Sequence, residues 1–144
     1  VKRIVFDTNV TVSAFFWRGY PRIVYDLVKQ GKVTLLSSIK IEAEFIRVLA
    51  YPRFGLTPAE IFPIVNNLRK YLHFIEAKSK LDVVKEDPTD NIFLECALDG
   101  KANYIISGDH HLLNIGNYKG IQIIPAKDFL IKEGFIQSNS INRT

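Results

Sequence analysis

Four acidic residues are spaced so that a sheet could bring them together. Asp7 stands directly after the apolar run "KRIVF", and Asp109 follows "NYIISG". Asp90 opens the helical stretch "DNIFLECALDG" behind the turn "EDPT", and Glu44 sits inside "IKIEAEFIRVL" after "KVTLLSS". Each has an ordinary explanation. Asp, Thr and Asn bond locally to backbone and favour strand ends and turns, so "DTN" at 7–9 is by itself a polar stop. Asp90 is a natural N-cap, Asp109 a turn residue, and Glu44 a helix acid with Arg47 or Lys40 as partner. Together they are harder to explain, because carboxylates gathered at one edge repel and raise one another's pKa. A divalent cation relieves that repulsion. The donors are oxygens with no His/Cys cluster, which favours Mg²⁺ or Mn²⁺ over Zn²⁺. Such a site suits phosphoryl chemistry, with the substrate's phosphates completing the ion's shell.

Glu44 has a rival in Glu42. Helical spacing puts Glu44 on the face of Ile41 and Val48, while Glu42 lies about 160° away on the wheel. A carboxylate on a buried stripe is costly unless paired or bound to a metal. The spacing therefore expects Glu42 to be a solvated surface acid and Glu44 to be the anomaly.

These acids need a scaffold that aims them at one place. "KRIVF", "KVTLLSS", "NYIISGD" and "IQIIP" read as buried strands, and "HFIEA" as a further one. Between them run helical stretches. "PRIVYDLVKQG" begins at a proline and stops at Gly31. "IKIEAEFIRVLAYP" is ended by Pro52. "TPAEIFPIVNNLRKYL" opens with a capping box of Thr57 and Glu60 and carries Pro63 near the limit of its first turn. "DNIFLECALDG" stops at Gly100. Strands alternating with helices predict an α/β sandwich with a mostly parallel sheet. In such sheets ligands collect outside the carboxyl ends of the strands, which is where Asp7 and Asp109 fall.

Composition sets the remaining bounds. The 144 residues are 47% hydrophobic and 24% charged, ordinary for a globular domain. A net charge of +4 permits a nucleic-acid partner without requiring one. The single Cys96 rules out an internal disulfide and fits a reducing compartment; its helical, apolar setting makes it a packed thiol. There is no export signal and no run long enough to span a bilayer, so the expected location is the cytoplasm. The expected division is one domain over 1–136 and a polar, frayed tail over 137–144.

The ordered stretches "IVFDTNV", "SSIKIEAEFIRVLAYPRF", "EDPTDNIFLECAL" and "ANYIISGDHHLL" resemble PIN-domain proteins, from the group of toxins in toxin–antitoxin systems. "IQIIPAKDFL" is similar to the family's closing strand–Pro–helix. The resemblance covers nearly the whole chain apart from the polar tail. It implies a three-layer α/β/α sandwich and Mg²⁺- or Mn²⁺-dependent cleavage of RNA, with Asp7, Glu44, Asp90 and Asp109 around the metal. Thr8, Asn9 and Ser107 match positions that orient acids or waters. Asp87 is a helper whose neighbour Pro88 points to turn geometry as its main task. The partners it implies are an RNA substrate, a cognate antitoxin protein and a second copy in a homodimer.

Other side chains carry two readings each. His110 and His111 could supply a general base, or simply face solvent at a helix start. Trp17, Arg18 and Tyr20, in the loop after the first strand–helix step, could stack on bases or contact phosphate; a packed Trp beside an exposed Arg is the plainer alternative. Phe15 and Phe16 are expected in the core. For the whole chain the alternative to an enzyme is a non-catalytic RNA-binding or regulatory PIN module. A phosphohydrolase of the haloacid-dehalogenase type also puts Asp after its first strand. That class uses Asp-x-Asp, and the second position here is Asn9.

Overall fold

The structure is a computed structural model, and it describes residues 1–138. Among these, six strands form one sheet: β1 (Lys2–Phe6), β2 (Val33–Ser37), β3 (Leu72–Phe74), β4 (Tyr104–Ile106), β5 (Asn117–Tyr118) and β6 (Ile121–Ile124). Seven helices surround it: α1 (Thr8–Phe16), α2 (Tyr20–Lys29), α3 (Ile39–Leu49), α4 (Pro58–Arg69), α5 (Asn91–Asp99), α6 (His110–Leu113) and α7 (Ala126–Lys132). The strand order is β3-β2-β1-β4-β6-β5. Every pairing is parallel except β5 with β6. The expected α/β/α sandwich is the observed one.

The layers follow from the two-residue period of a strand. Ile4, Phe6, Leu35, Tyr104 and Ile106 turn to one face and pack with side chains of α1–α4 and α7. Val5, Leu36, Ile105, Ile121 and Ile123 turn to the other, against Phe93, Leu94 and Cys96 of α5 and Leu112 of α6. With both faces covered, the strands read as unbroken apolar runs. Burial pushes the Cys96 thiol up to about 12, so it is a packed side chain and not a nucleophile.

Several local expectations need correction. The strand expected over "HFIEA" is Leu72–Phe74, after which the chain leaves the sheet. The short hairpin strand β5 has no sequence signal beyond its Lys119–Gly120 turn. Tyr20 belongs to α2, and Phe16 is exposed rather than in the core. Glu42 is no solvated acid: its side chain is 10% exposed and forms a two-pronged ion pair with Arg69 at 2.5 Å. The helical wheel of α3 describes one helix, whereas α4 packs on the flank that carries Glu42. On α4, Glu60 accepts from the Thr57 amide at 2.8 Å as the capping box requires, and Ile61, Val65 and Leu68 enter the core. No helix among the described residues is long and apolar enough to cross a membrane. Gln137 and Ser138 of the expected tail are exposed; 139–144 lie outside the described residues.

Candidate active site

The chain leaves β1 for β2 on one side of the sheet and fills β4 on the other. The carboxyl ends of β1 and β4 therefore form the topological switch point, where a crevice opens. Asp7 is the first residue beyond β1, and Ser107 the first beyond β4. Asp7 is 4% exposed and caps α1: its Oδ1 accepts from the Val10 amide at 2.9 Å. Its Oδ2 accepts from the Ser107 hydroxyl. The Ser107 Oγ in turn accepts from the Asp109 amide at 2.9 Å, so one buried hydroxyl ties the two acidic strand ends together. Asp109 caps α6 through the His111 amide at 3.3 Å.

Asp90 departs from its expected capping role. It ends a 3₁₀ turn over Pro88–Asp90 and is itself helical at φ −68°, ψ −14°, so its side chain caps nothing. Capping needs an extended backbone at that residue. The carboxylate turns instead into a pocket of about 220 Å³ lined by Asp7, Thr8, Asn9, Glu44, Val48, Asp87, Asp90, Phe93 and Asp109. All four sequence-selected acids, together with Asp87, Thr8 and Asn9, meet there. Ser107 lies behind it, on Asp7.

The pocket's electrostatics are strained. Burial, a hydrogen bond shared with Asp109, and the charges of Asp87, Asp109 and Asp7 push Asp90 up to about 8. Burial also raises Asp7; the bonds from Ser107 and Val10 offset it only in part, and the charge of Asp109 adds to it. For Asp109 burial acts upward too, but the bonds from Asp90 and the His111 amide and the nearby His111 and His110 outweigh it, leaving that carboxyl below its ordinary value. The two neighbouring carboxyls are thus pushed apart, Asp90 upward and Asp109 downward.

Two buried side-chain oxygens in this pocket, Asp90 Oδ2 and Thr8 Oγ1, have no hydrogen-bond partner. An unpartnered buried carboxylate oxygen beside other carboxylates calls for a proton or a cation. The all-oxygen donor set suits a hard divalent ion. Among the described residues no three acidic, imidazole or thiol groups close into a ready-made cage. Mg²⁺ needs none, since it binds through one or two carboxylates and keeps several waters. Asp90 and Asp109 are the pair that fits it, with Asp7 adjoining. Glu44 is less free: at 16% exposure it lines the pocket, but Arg47 grips both its oxygens at 2.7 and 2.8 Å.

The supporting residues differ from expectation in part. Ser107 orients Asp7 as expected, but neither Thr8 nor Asn9 bonds an acid; Thr11 instead bonds the Asp7 carbonyl at 3.2 Å. Asn91 was not singled out by sequence reasoning. Buried behind Asp90, it accepts from the Val83 and Val84 amides and donates to the Val84 and Pro88 carbonyls, pinning the loop that carries Asp87. The only signal was an amide directly following Asp90. His110 is exposed and His111 half-buried.

Comparison with known proteins agrees with this fold. Among curated proteins none matches the sequence. One of four matching chains among solved structures is VapBC2 from Rickettsia felis, bound to a DNA fragment from their promoter. It superposes with a TM-score of 0.60 at 14% identity, covering 84% of this chain and 96% of that one. This likeness is one of fold. A family model described as PIN domain matches residues 3–111, a span that holds every acid of the pocket. The chain belongs to the PIN-domain family.

Proposed function

We propose that this PIN domain is an Mg²⁺- or Mn²⁺-dependent endoribonuclease, restrained as a toxin by a cognate antitoxin protein in the cytoplasm. The observation that carries the reading is the convergence of Asp7, Glu44, Asp90 and Asp109 from four separate elements on one pocket, with Asp90 Oδ2 left unpartnered. A bound divalent cation supplies Lewis acidity and neutralises charge on the scissile phosphate. Asp90 and Asp109 would hold it, Asp90 releasing the proton that its raised pKa keeps on the metal-free carboxyl. Asp7, fixed by Val10 and Ser107, keeps its carboxylate at the pocket wall. An ionised carboxylate of the pocket takes the proton of the attacking water as the P–O bond to the leaving ribose oxygen breaks, and that oxygen takes up a proton from solvent. Membership of a toxin–antitoxin pair is supported by the fold shared with a chain of VapBC2. A homodimer belongs to the same reading, and light scattering counts its chains.

The second reading, a non-catalytic RNA-binding module, draws on the Arg47 grip that occupies Glu44. A labelled RNA incubated with and without Mn²⁺ separates the two. Metal-dependent cleavage that disappears in a folded Asp7→Asn variant is the expected outcome; cleavage retained by that variant removes Asp7 from the site. Binding without cleavage at any metal concentration favours the module.

A further inference from the structure

A chain of stacked aromatic and arginine side chains leads away from the acid pocket. It starts at Arg47, which holds Glu44 and also donates to the Tyr51 hydroxyl at 2.9 Å, its guanidinium 5.8 Å from that ring. Arg53 lies over the same ring at 5.8 Å and over Phe54 at 4.9 Å. Phe54 stacks on Phe16 at 5.9 Å, and Phe16 meets Trp17 edge-on at 6.1 Å. Trp17 is 55% exposed, which removes the packed-core reading of this residue, and Phe16 and Tyr51 are exposed beside it. Arg53 has no carboxylate partner among the described residues.

Exposed rings interleaved with guanidiniums are what a flexible polyanion with flat bases needs. Each ring is a stacking platform for any base, and each arginine serves both the ring and a phosphate. The path adjoins the acid pocket at its Arg47 end, and its other end lies one length of α1 away from Asp7. Glu44 lines the pocket and holds Arg47. Asp7 caps the first turn of α1, whose nine residues span roughly 13 Å to Phe16. We propose that this face, centred on Tyr51, Arg53 and Trp17, is a track that binds single-stranded RNA and feeds it to the acids; the proposal rests on the nuclease reading above. A duplex hides its base faces and gains only the phosphate contacts, so the track favours single strands.

Affinity is measured by fluorescence anisotropy of a short labelled single-stranded RNA in EDTA, where nothing is cut, and then repeated with the matching duplex. Trp17→Ala is expected to weaken single-strand binding by about 5–100-fold, as loss of one stacking platform does, and Arg53→Gln to weaken it through loss of a phosphate contact. Arg53→Gln should also reduce the salt dependence by somewhat under one unit of slope. Lys32→Ala, before β2 at the opposite end of the strands, should change nothing. In Mn²⁺ the loss should fall mainly on KM, with kcat held. Arg53→Gln leaves the apolar packing in place, so the charge test stands even if Trp17→Ala misfolds. Wild-type affinity in both variants, or equal weakening for the duplex, overturns the track; the first leaves the aromatic face to a protein partner. A wild-type protein that binds through these residues but never cleaves overturns the nuclease reading and leaves the track standing.

Discussion

At the scale of single residues, the pocket is a set of carboxylates kept in a state they would not choose in water. Asp90 sits above its unfolded value of 3.8, reaching about 8, so the folded protein holds a proton that the unfolded chain has already lost. Stability of the metal-free protein should therefore fall as pH rises between those two values. Asp7, also raised, acts in the same direction. Asp109 is lowered, so its contribution is lost only as the medium becomes more acidic than an ordinary aspartate, outside that window. Thermal melts in EDTA should show the decline, Asp90→Asn should flatten it, and Mn²⁺ should stabilise more at pH 8 than at pH 5, because binding displaces the proton. A second prediction concerns Ser107→Ala. It leaves a buried Asp7 oxygen without its donor and frees the Asp109 amide, at a cost of about 1–3 kcal/mol in chemical denaturation. These acids were legible in the sequence because their types and positions relative to the strands were. Their partners were not: Arg47 closing on Glu44 was one of two open choices, and Glu42 is half-buried and paired with Arg69 because the wheel of α3 contains no information about α4.

At the scale of elements, the site depends on how β1, β4 and α5 are tied together. The apolar runs and the Pro and Gly punctuation made β1, β2, β4, β6 and the long helices readable, since burial on both sheet faces writes itself as β-branched runs. Asp90 shows where that reading stops. An acid ahead of an apolar-periodic stretch looks like a cap, but the 3₁₀ turn ahead of α5 takes the backbone out of the capping conformation and frees the side chain. Asn91 then holds the preceding loop by four hydrogen bonds. Asn91→Ala should cost about 1–3 kcal/mol and weaken Mn²⁺ affinity, read by calorimetry, because Asp87 and Asp90 lose their common anchor. Gly100, read as a helix stop, has a second task. A Cβ there would lie 2.9 Å from the Cys96 carbonyl and 2.8 Å from Leu36 Cδ1, where α5 meets the sheet. Gly100→Ala should lower stability by about 1–3 kcal/mol although its φ of −88° suits any residue.

At the scale of the molecule, a doubly covered parallel sheet places its polar chemistry at one end, and the acids mark that end. Their mutual repulsion ties the fold to the proposed function, since a proton on Asp90 or a bound cation would relieve it. The PIN-domain family model spans this arrangement from β1 to the start of α6. The most direct measurement is anomalous diffraction from a crystal soaked in Mn²⁺. The predicted result is a peak in the 220 Å³ pocket within about 2.0–2.3 Å of carboxylate oxygens of Asp90 and Asp109, with Asp7 next to it. A pocket without a peak, at Mn²⁺ concentrations that occupy other acidic sites on the same crystal, would contradict it.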